Sequence, residues 1–175
     1  MSYEKKVAAG AVPAKVVFYY TLDSLFNDAS MRSMYRTRNN KDAAGVSMVD
    51  DLAITEDERN IHLSLVEDAV YDVFLRFLQF TKAITNAIAH NVNYTPTAGV
   101  EAKTSYVQIV DNANYNENYL SAVDKSLLKA IRFYTLRDWF TSQGQAKEAG
   151  EYDALYIMAM RNVDKYSFQL KKATV

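Results

Sequence analysis

Between Ile61 and Leu78 the apolar residues of this chain fall into two parallel stripes. Ile61, Leu65, Ala69, Val73 and Phe77 recur every fourth residue, and Val66, Val70, Phe74 and Leu78 run alongside. A four-residue repeat belongs to a helix, and an apolar face this wide belongs to a helix pressed by neighbours on two sides. Such neighbours are themselves long helices here, because only two Pro and five Gly interrupt 175 residues. Thr55-Glu56-Asp57-Glu58 reads as a capping box opening this helix, the Thr hydroxyl accepting from the third amide while Glu58 reaches back. Asp68, Asp72 and Arg76 form a polar strip, and the helix is expected to run on to about His90, bending near Thr81.

Three further helices are predicted. One runs from an N-cap at Thr21 to about Arg36, with Leu22, Leu25, Phe26 and Ala29 on one side. Another runs from about Tyr119 to Gln143, stopped by Gly144, with Lys125, Lys129 and Arg132 on its wet strip. The last covers about Ala146 to Lys171; its Tyr152, Tyr156, Ala159, Val163, Tyr166 and Leu170 make a heptad-like seam in which each Tyr hydroxyl wants water or a partner. Residues 1–20 are expected as an extended N-terminal arm, because Lys15–Tyr20 is β-branched and aromatic. The polar stretch Thr37–Asp51 reads as a mobile loop. Within a helical domain over residues 21–175, an insert at about 91–118 reads as a β-hairpin or extended-loop arm, since Lys103–Val110 alternates and Asn-rich segments flank it. The fold class is therefore mainly α: a bundle of about four helices carrying such an arm.

Twenty Lys and Arg against 21 Asp and Glu leave a formal charge of −1, which excludes a general polyanion binder, because phosphate affinity comes from surplus cations. With 49% hydrophobic and 23% charged residues the chain is not wholly disordered. The absence of Cys excludes disulfides, thiolate metal sites and cysteine nucleophiles. The apolar run Val16–Tyr20 is far short of the ~20 residues of a membrane helix, so a soluble chain with no membrane partner is expected.

Candidate chemistry is sparse. His62 follows Glu58 at the wrong spacing for the Glu-x-x-His pair of a di-iron bundle, and reads as a solvated neighbour pair. The acids at 50–51 and 56–58 lack the alternating oxygen-ligand loop of a calcium site and suit helix starts. No catalytic residues, metal or cofactor are therefore expected, and the chain reads as a non-enzyme. The basic groups Arg32, Arg36 and Arg38, and Arg161, Lys165, Lys171 and Lys172, read as solvated or dipole-complementing charge, or as weak phosphate contacts. Thirteen Tyr is unusual. Tyr19, Tyr20, Tyr94, Tyr106, Tyr115 and Tyr119 lie mostly off the buried stripes, either capping the core edge or forming a sticky surface.

Three features together resemble the head–tail connector (neck adaptor) proteins of tailed bacteriophages. They are the lead Asp50-Asp51-Leu52-Ala53-Ile54 into the acidic cap and Ile61–Phe80, the segment Asp124–Tyr134 with its Ala130-Ile131 pair and aromatic end, and a C-terminal helix Tyr152–Leu170 followed by a basic tail. The Asn- and Tyr-rich flavour is similar to that of crAss-like phages of gut bacteria. The region Met1–Asn40 and the 91–118 insert depart from the family pattern.

The resemblance implies a virion protein that forms a homo-oligomeric, dodecameric ring under the portal, meets other neck or tail proteins, and extends a channel through which double-stranded DNA passes without tight binding. It places the portal-docking element at Gln169–Val175, with Gln169, Leu170, Lys171 and Lys172 as interface candidates beside Tyr94, Tyr106 and Tyr115. Arg161 and Lys165 are the channel candidates. The alternative is a soluble α-helical interaction or regulatory module of bacterial origin, its Tyr-rich seam pairing with one partner helix.

Overall fold

In the computed structural model the described residues are 3–6, 15–78, 89–93, 103–110 and 117–170, with side chains at 18, 20, 23–73, 75–76 and 118–169. The chain is mainly helical. Its helices are α1 (Leu22–Thr37), α2 (Val49–Leu52), α3 (Arg59–Leu78), α4 (Leu120–Ser142) and α5 (Ala146–Leu170). α4 packs most extensively on α5 and next on α3, while α1 lies against α3 and α4. No described helix is long and apolar enough to cross a membrane.

The larger core joins Val66, Ala69, Val70 and Val73 of α3 to Val123, Leu127, Ala130 and Ile131 of α4 and to Tyr156, Ala159, Met160 and Val163 of α5. A second core gathers Phe26 and Ala29 of α1, Ile54, Leu136, Trp139 and Phe140 of α4, and Tyr152. Phe133 packs against both. Among the described side chains of the stripes predicted for α3, Leu65, Val66, Ala69, Val70 and Val73 therefore close against the neighbouring helices, with one exception. Ile61, at the N-terminal end, stands exposed.

Short strands complete the backbone: β1 (Tyr3–Lys6), β2 (Lys15–Thr21), β3 (Ala89–Asn93) and β4 (Lys103–Val110), all antiparallel in the order β1-β2-β4-β3. A projecting β-hairpin arm is not supported. β4 pairs along its length with β2, Lys15 opposite Val110 through Thr21 opposite Thr104. Phe18 and Tyr20, two residues apart and so on one face, are buried in the main core. Tyr20 thus leaves the list of surface tyrosines. Tyr119 is only part-buried; it packs against the core and stacks on Tyr166.

Helix ends show why the boundaries fall where they do. Gly144 adopts φ 68°, the left-handed conformation that glycine reaches without Cβ strain. The Gln145 N–H then bonds the Phe140 carbonyl at 2.9 Å and the Gly144 N–H bonds that of Thr141 at 3.1 Å, the paired closure of a Schellman end. α3 begins at Arg59, not at Thr55. Glu58 does reach back to the Thr55 N–H at 2.9 Å, but the Thr55 hydroxyl donates to the same carboxylate instead of accepting from an amide. Four residues are spent on that turn. At the other end Ala89–Asn93 is strand, so the helix does not reach His90; the proposed bend at Thr81 lies outside the described residues.

The stretch read as a mobile loop is closed by its own hydrogen bonds. The Asp42 carboxylate accepts from the Ala44 and Val46 amides at 2.9 and 2.8 Å, and Lys41 bridges Ser47. Beyond it, residues 52–54 are clamped between α1 and α4. The Ile54 N–H donates to Ser33 Oγ (2.8 Å), the Ser30 hydroxyl donates to the Ile54 carbonyl (2.7 Å), and Trp139 Nε1–H donates to the Leu52 carbonyl (2.9 Å). A buried carbonyl stripped of its donor bears a desolvation cost. Trp139→Phe is expected to lower unfolding stability by about 2 kcal/mol in a urea titration with unchanged m-value; a change within experimental error would contradict the clamp.

Candidate interaction surface

Where three helices meet, α4 contributes Arg137 and Tyr134, α5 contributes Tyr156 and Asp153, and α3 contributes Asp72. The Tyr156 hydroxyl donates to Asp72 Oδ2 at 2.5 Å. Arg137 pairs with Asp138 (2.7 Å) and Asp153 (3.5 Å), and its guanidinium lies 4.2 Å from the Tyr134 ring centre and 5.1 Å from that of Tyr156. Burial, then the Asp72 hydrogen bond and charge, hold the Tyr156 phenol protonated well above its usual range. Burial likewise raises Tyr134, with Asp138 adding to it. Phenols held so firmly protonated are poor bases near neutral pH, and the cluster acts as a polar tie between helices. Tyr20 is similar: its hydroxyl donates to the Asp124 carbonyl (3.3 Å) and carboxylate (3.4 Å), and burial raises its pKa further.

His62 is not part of a solvated pair. It is fully buried, meets Phe26 edge-on at 5.3 Å, and neither ring nitrogen has a hydrogen-bond partner among the described residues. Its link to Glu58 is the backbone bond of its own N–H, because the Glu58 carboxylate is turned back to Thr55. Burial, with Arg59 nearby, pushes the imidazole down to about 4. Among the described residues no three His, Asp or Glu are grouped to hold a metal.

Three helices turn large apolar side chains outward. α1 shows Met31, Met34 and Tyr35 at helical spacing, with the Arg38 guanidinium 4.0 Å over the Tyr35 ring. α3 shows Ile61, Tyr71 and Leu75 beside Asp68. α5 shows Ile157, Met158 and Phe168, the last 72% exposed. Monomeric proteins rarely leave apolar side chains in such stripes unless something covers them.

The residues proposed from sequence divide accordingly. Arg161 and Lys165 lie one turn apart on the outward face of α5, between Met158 and Phe168, and Lys165 Nζ sits 5.6 Å from the Tyr166 ring. Gln169 is half-buried with its Oε1 unpartnered among the described residues, and Leu170 ends α5. Tyr106 lies in β4 opposite Tyr19 and Ala89. Tyr94, Tyr115, Lys171 and Lys172 lie outside the described residues. Of the other cations, Arg32 pairs with Asp28 at 2.8 Å, Arg36 pairs with Glu151, and Arg132 leaves its expected wet strip to meet Asp28 at 2.5 Å. Phe168 and Met158 were missed, yet they are legible: they fall between the seam positions 152, 156, 159, 163, 166 and 170.

Comparison with protein-family models, with curated proteins and with solved structures finds no match.

The buried histidine makes a measurable claim. The unfolded imidazole takes up its proton near 6.5 and the folded one only near 4, so between these values the unfolded state holds more protons. Stability from this group is complete above about pH 6.5 and falls by about 3 kcal/mol as pH drops toward 4. His62→Leu is expected to flatten the stability–pH curve in that window, read by urea unfolding at stepped pH; an unchanged slope would contradict the buried neutral imidazole.

Proposed function

We propose that this protein is a non-enzymatic structural subunit of a tailed-phage neck, assembling into a ring between portal and tail through which double-stranded DNA passes. The observation that carries the reading is the set of outward apolar stripes on α1, α3 and α5, left over after two cores are filled. An assembly subunit carries such faces because its neighbours cover them. The order of the elements adds support: the segments resembling connector proteins fall on α2 with the start of α3, on α4, and on α5. The near-neutral charge suits a channel wall that must let DNA slide, since each phosphate contact adds affinity and friction. On this reading the protein resides in the virion, and the end of α5 with the residues after it docks on the portal.

The described core ends before Gln169: Val163 and Ser167 are the last fully buried positions of α5. Deleting Gln169–Val175 is therefore expected to shift the melting temperature by only about 2 °C. The truncated chain should be absent from purified phage particles by mass spectrometry, while the full chain is present at a fixed ratio to the portal. Normal incorporation of the truncated chain would remove the docking role of this end, and absence of the full chain from particles would remove the neck role itself.

A further inference from the structure

We propose that copies of this chain join head to tail, the outward face of α5 in one copy lying on the outward face of α3 in the next. The inference rests on the reading of the chain as an assembly subunit and names the contact that builds the assembly.

The α5 stripe consists of Met158, Arg161, Lys165 and Phe168, all exposed and spaced three, four and three residues apart. That spacing keeps them on one helix face over ~15 Å. Its polar positions are both cationic. The α3 stripe carries a carboxylate: Asp68 is exposed one turn before Tyr71 and two turns before Leu75, with Ile61 further up the same face and the exposed Arg76 off its edge at the end of the helix. It spans ~21 Å from Ile61 to Leu75. Each helix buries its other side in the main core, so both stripes belong to the outside of the module.

Charge decides how two copies can meet. α5 laid on α5 brings Arg161 and Lys165 against themselves, and α3 laid on α3 brings Asp68 against itself. α5 laid on α3 sets cations against the carboxylate and large apolar groups against large apolar groups. Between these two faces, like-charge juxtaposition penalises the symmetric pairings and leaves the unsymmetric one, while the α1 stripe, with Arg38 over Tyr35, carries the same sign as α5. A contact between two different faces propagates, and closes into a ring when the rotation between copies permits. The apolar members also argue against DNA as the occupant of the α5 face. Met158 and the 72% exposed Phe168 beside two cations match an amphipathic helix better than a phosphate backbone. A single helix-on-helix contact of three to four turns covers less than the ~800 Å² per partner of a stable pair. Each joint is therefore weak alone and strengthened by closure.

Zero-length carbodiimide coupling traps this joint, because it bonds a carboxylate to an amine in direct contact. Equal amounts of ordinary and ¹⁵N-labelled full chain are mixed, coupled and digested, and mixed-isotope peptides report contacts between copies. The expected product joins Asp68 of one copy to Lys165 of another. D68K alone and R161E/K165E alone each remove one of the two reacting groups, so neither variant by itself should give a cross-link between positions 68 and 165. Mixing these two variants should restore it through the reversed pair, which also shows that neither variant has simply failed to fold. Mixed-isotope products confined to other positions, no mixed-isotope product at all, or no restoration on mixing would each overturn the proposal. An α3–α5 joint in a chain that never enters particles would sink the neck reading alone, and a chain present in particles without the joint would sink this contact alone.

Discussion

The fold depends on the burial of α4. Its apolar residues do not form one stripe but wrap much of the helix, with Val123, Leu127, Ala130 and Ile131 in one core and Leu136, Trp139 and Phe140 in the other. A helix apolar on so many sides has to be enclosed by several elements, and α3, α5 and α1 supply the enclosure. Polar residues survive inside because they bond locally: Ser126 and Thr135 donate to the carbonyls of Ala122 and Ile131, four residues back, at 2.7 and 2.9 Å. The Trp139 bond to Leu52 then ties the 52–54 segment to the same helix. Remove α4 and both cores lose the wall they share.

Around that centre the ties between elements are polar and the fillings apolar. Tyr156 to Asp72 joins α5 to α3, Tyr20 to Asp124 joins β2 to α4, and Arg132 to Asp28 joins α4 to α1. Each ties one element to another through a charged or phenolic group. The proposed role as an assembly subunit follows the same division. Beyond these ties, the buried His62 imidazole has no partner among the described residues, and α1, α3 and α5 turn large apolar side chains outward.

Much of this was legible in the amino-acid sequence, because it is local. The limits of α1, α4 and α5 follow from periodicity and, between the last two, from Gly144, and the seam Tyr152-Tyr156-Ala159-Val163 is the buried edge of α5. What was not legible depends on partners distant along the chain. Tyr20 finds Asp124 across 104 positions, so nothing nearby marks it as buried. His62 looks solvated beside Glu58 until Phe26 covers it, and Arg132 looks wet until Asp28 approaches. Ile61 fails in the other direction: it has the right period for the core but lies beyond the reach of the neighbours that close over Val66. The start of α3 was misplaced by four residues because residues 55–58 close a tight turn of their own, the Glu58 amide on the Thr55 carbonyl and the Glu58 carboxylate on the Thr55 hydroxyl and amide. For the candidate surface, Arg161 and Lys165 stood out by charge, whereas Phe168 and Met158 required asking what the α5 seam excludes.

Native-state hydrogen exchange resolved by residue tests the primacy of α4 most directly. Amides from Val123 to Leu136 should exchange last, only through global unfolding, with those of α1 and the 38–48 turn opening earlier by local fluctuations. If α4 instead exchanged through local opening while α1 or the strands held the slowest amides, the helix would not be the element on which the others depend.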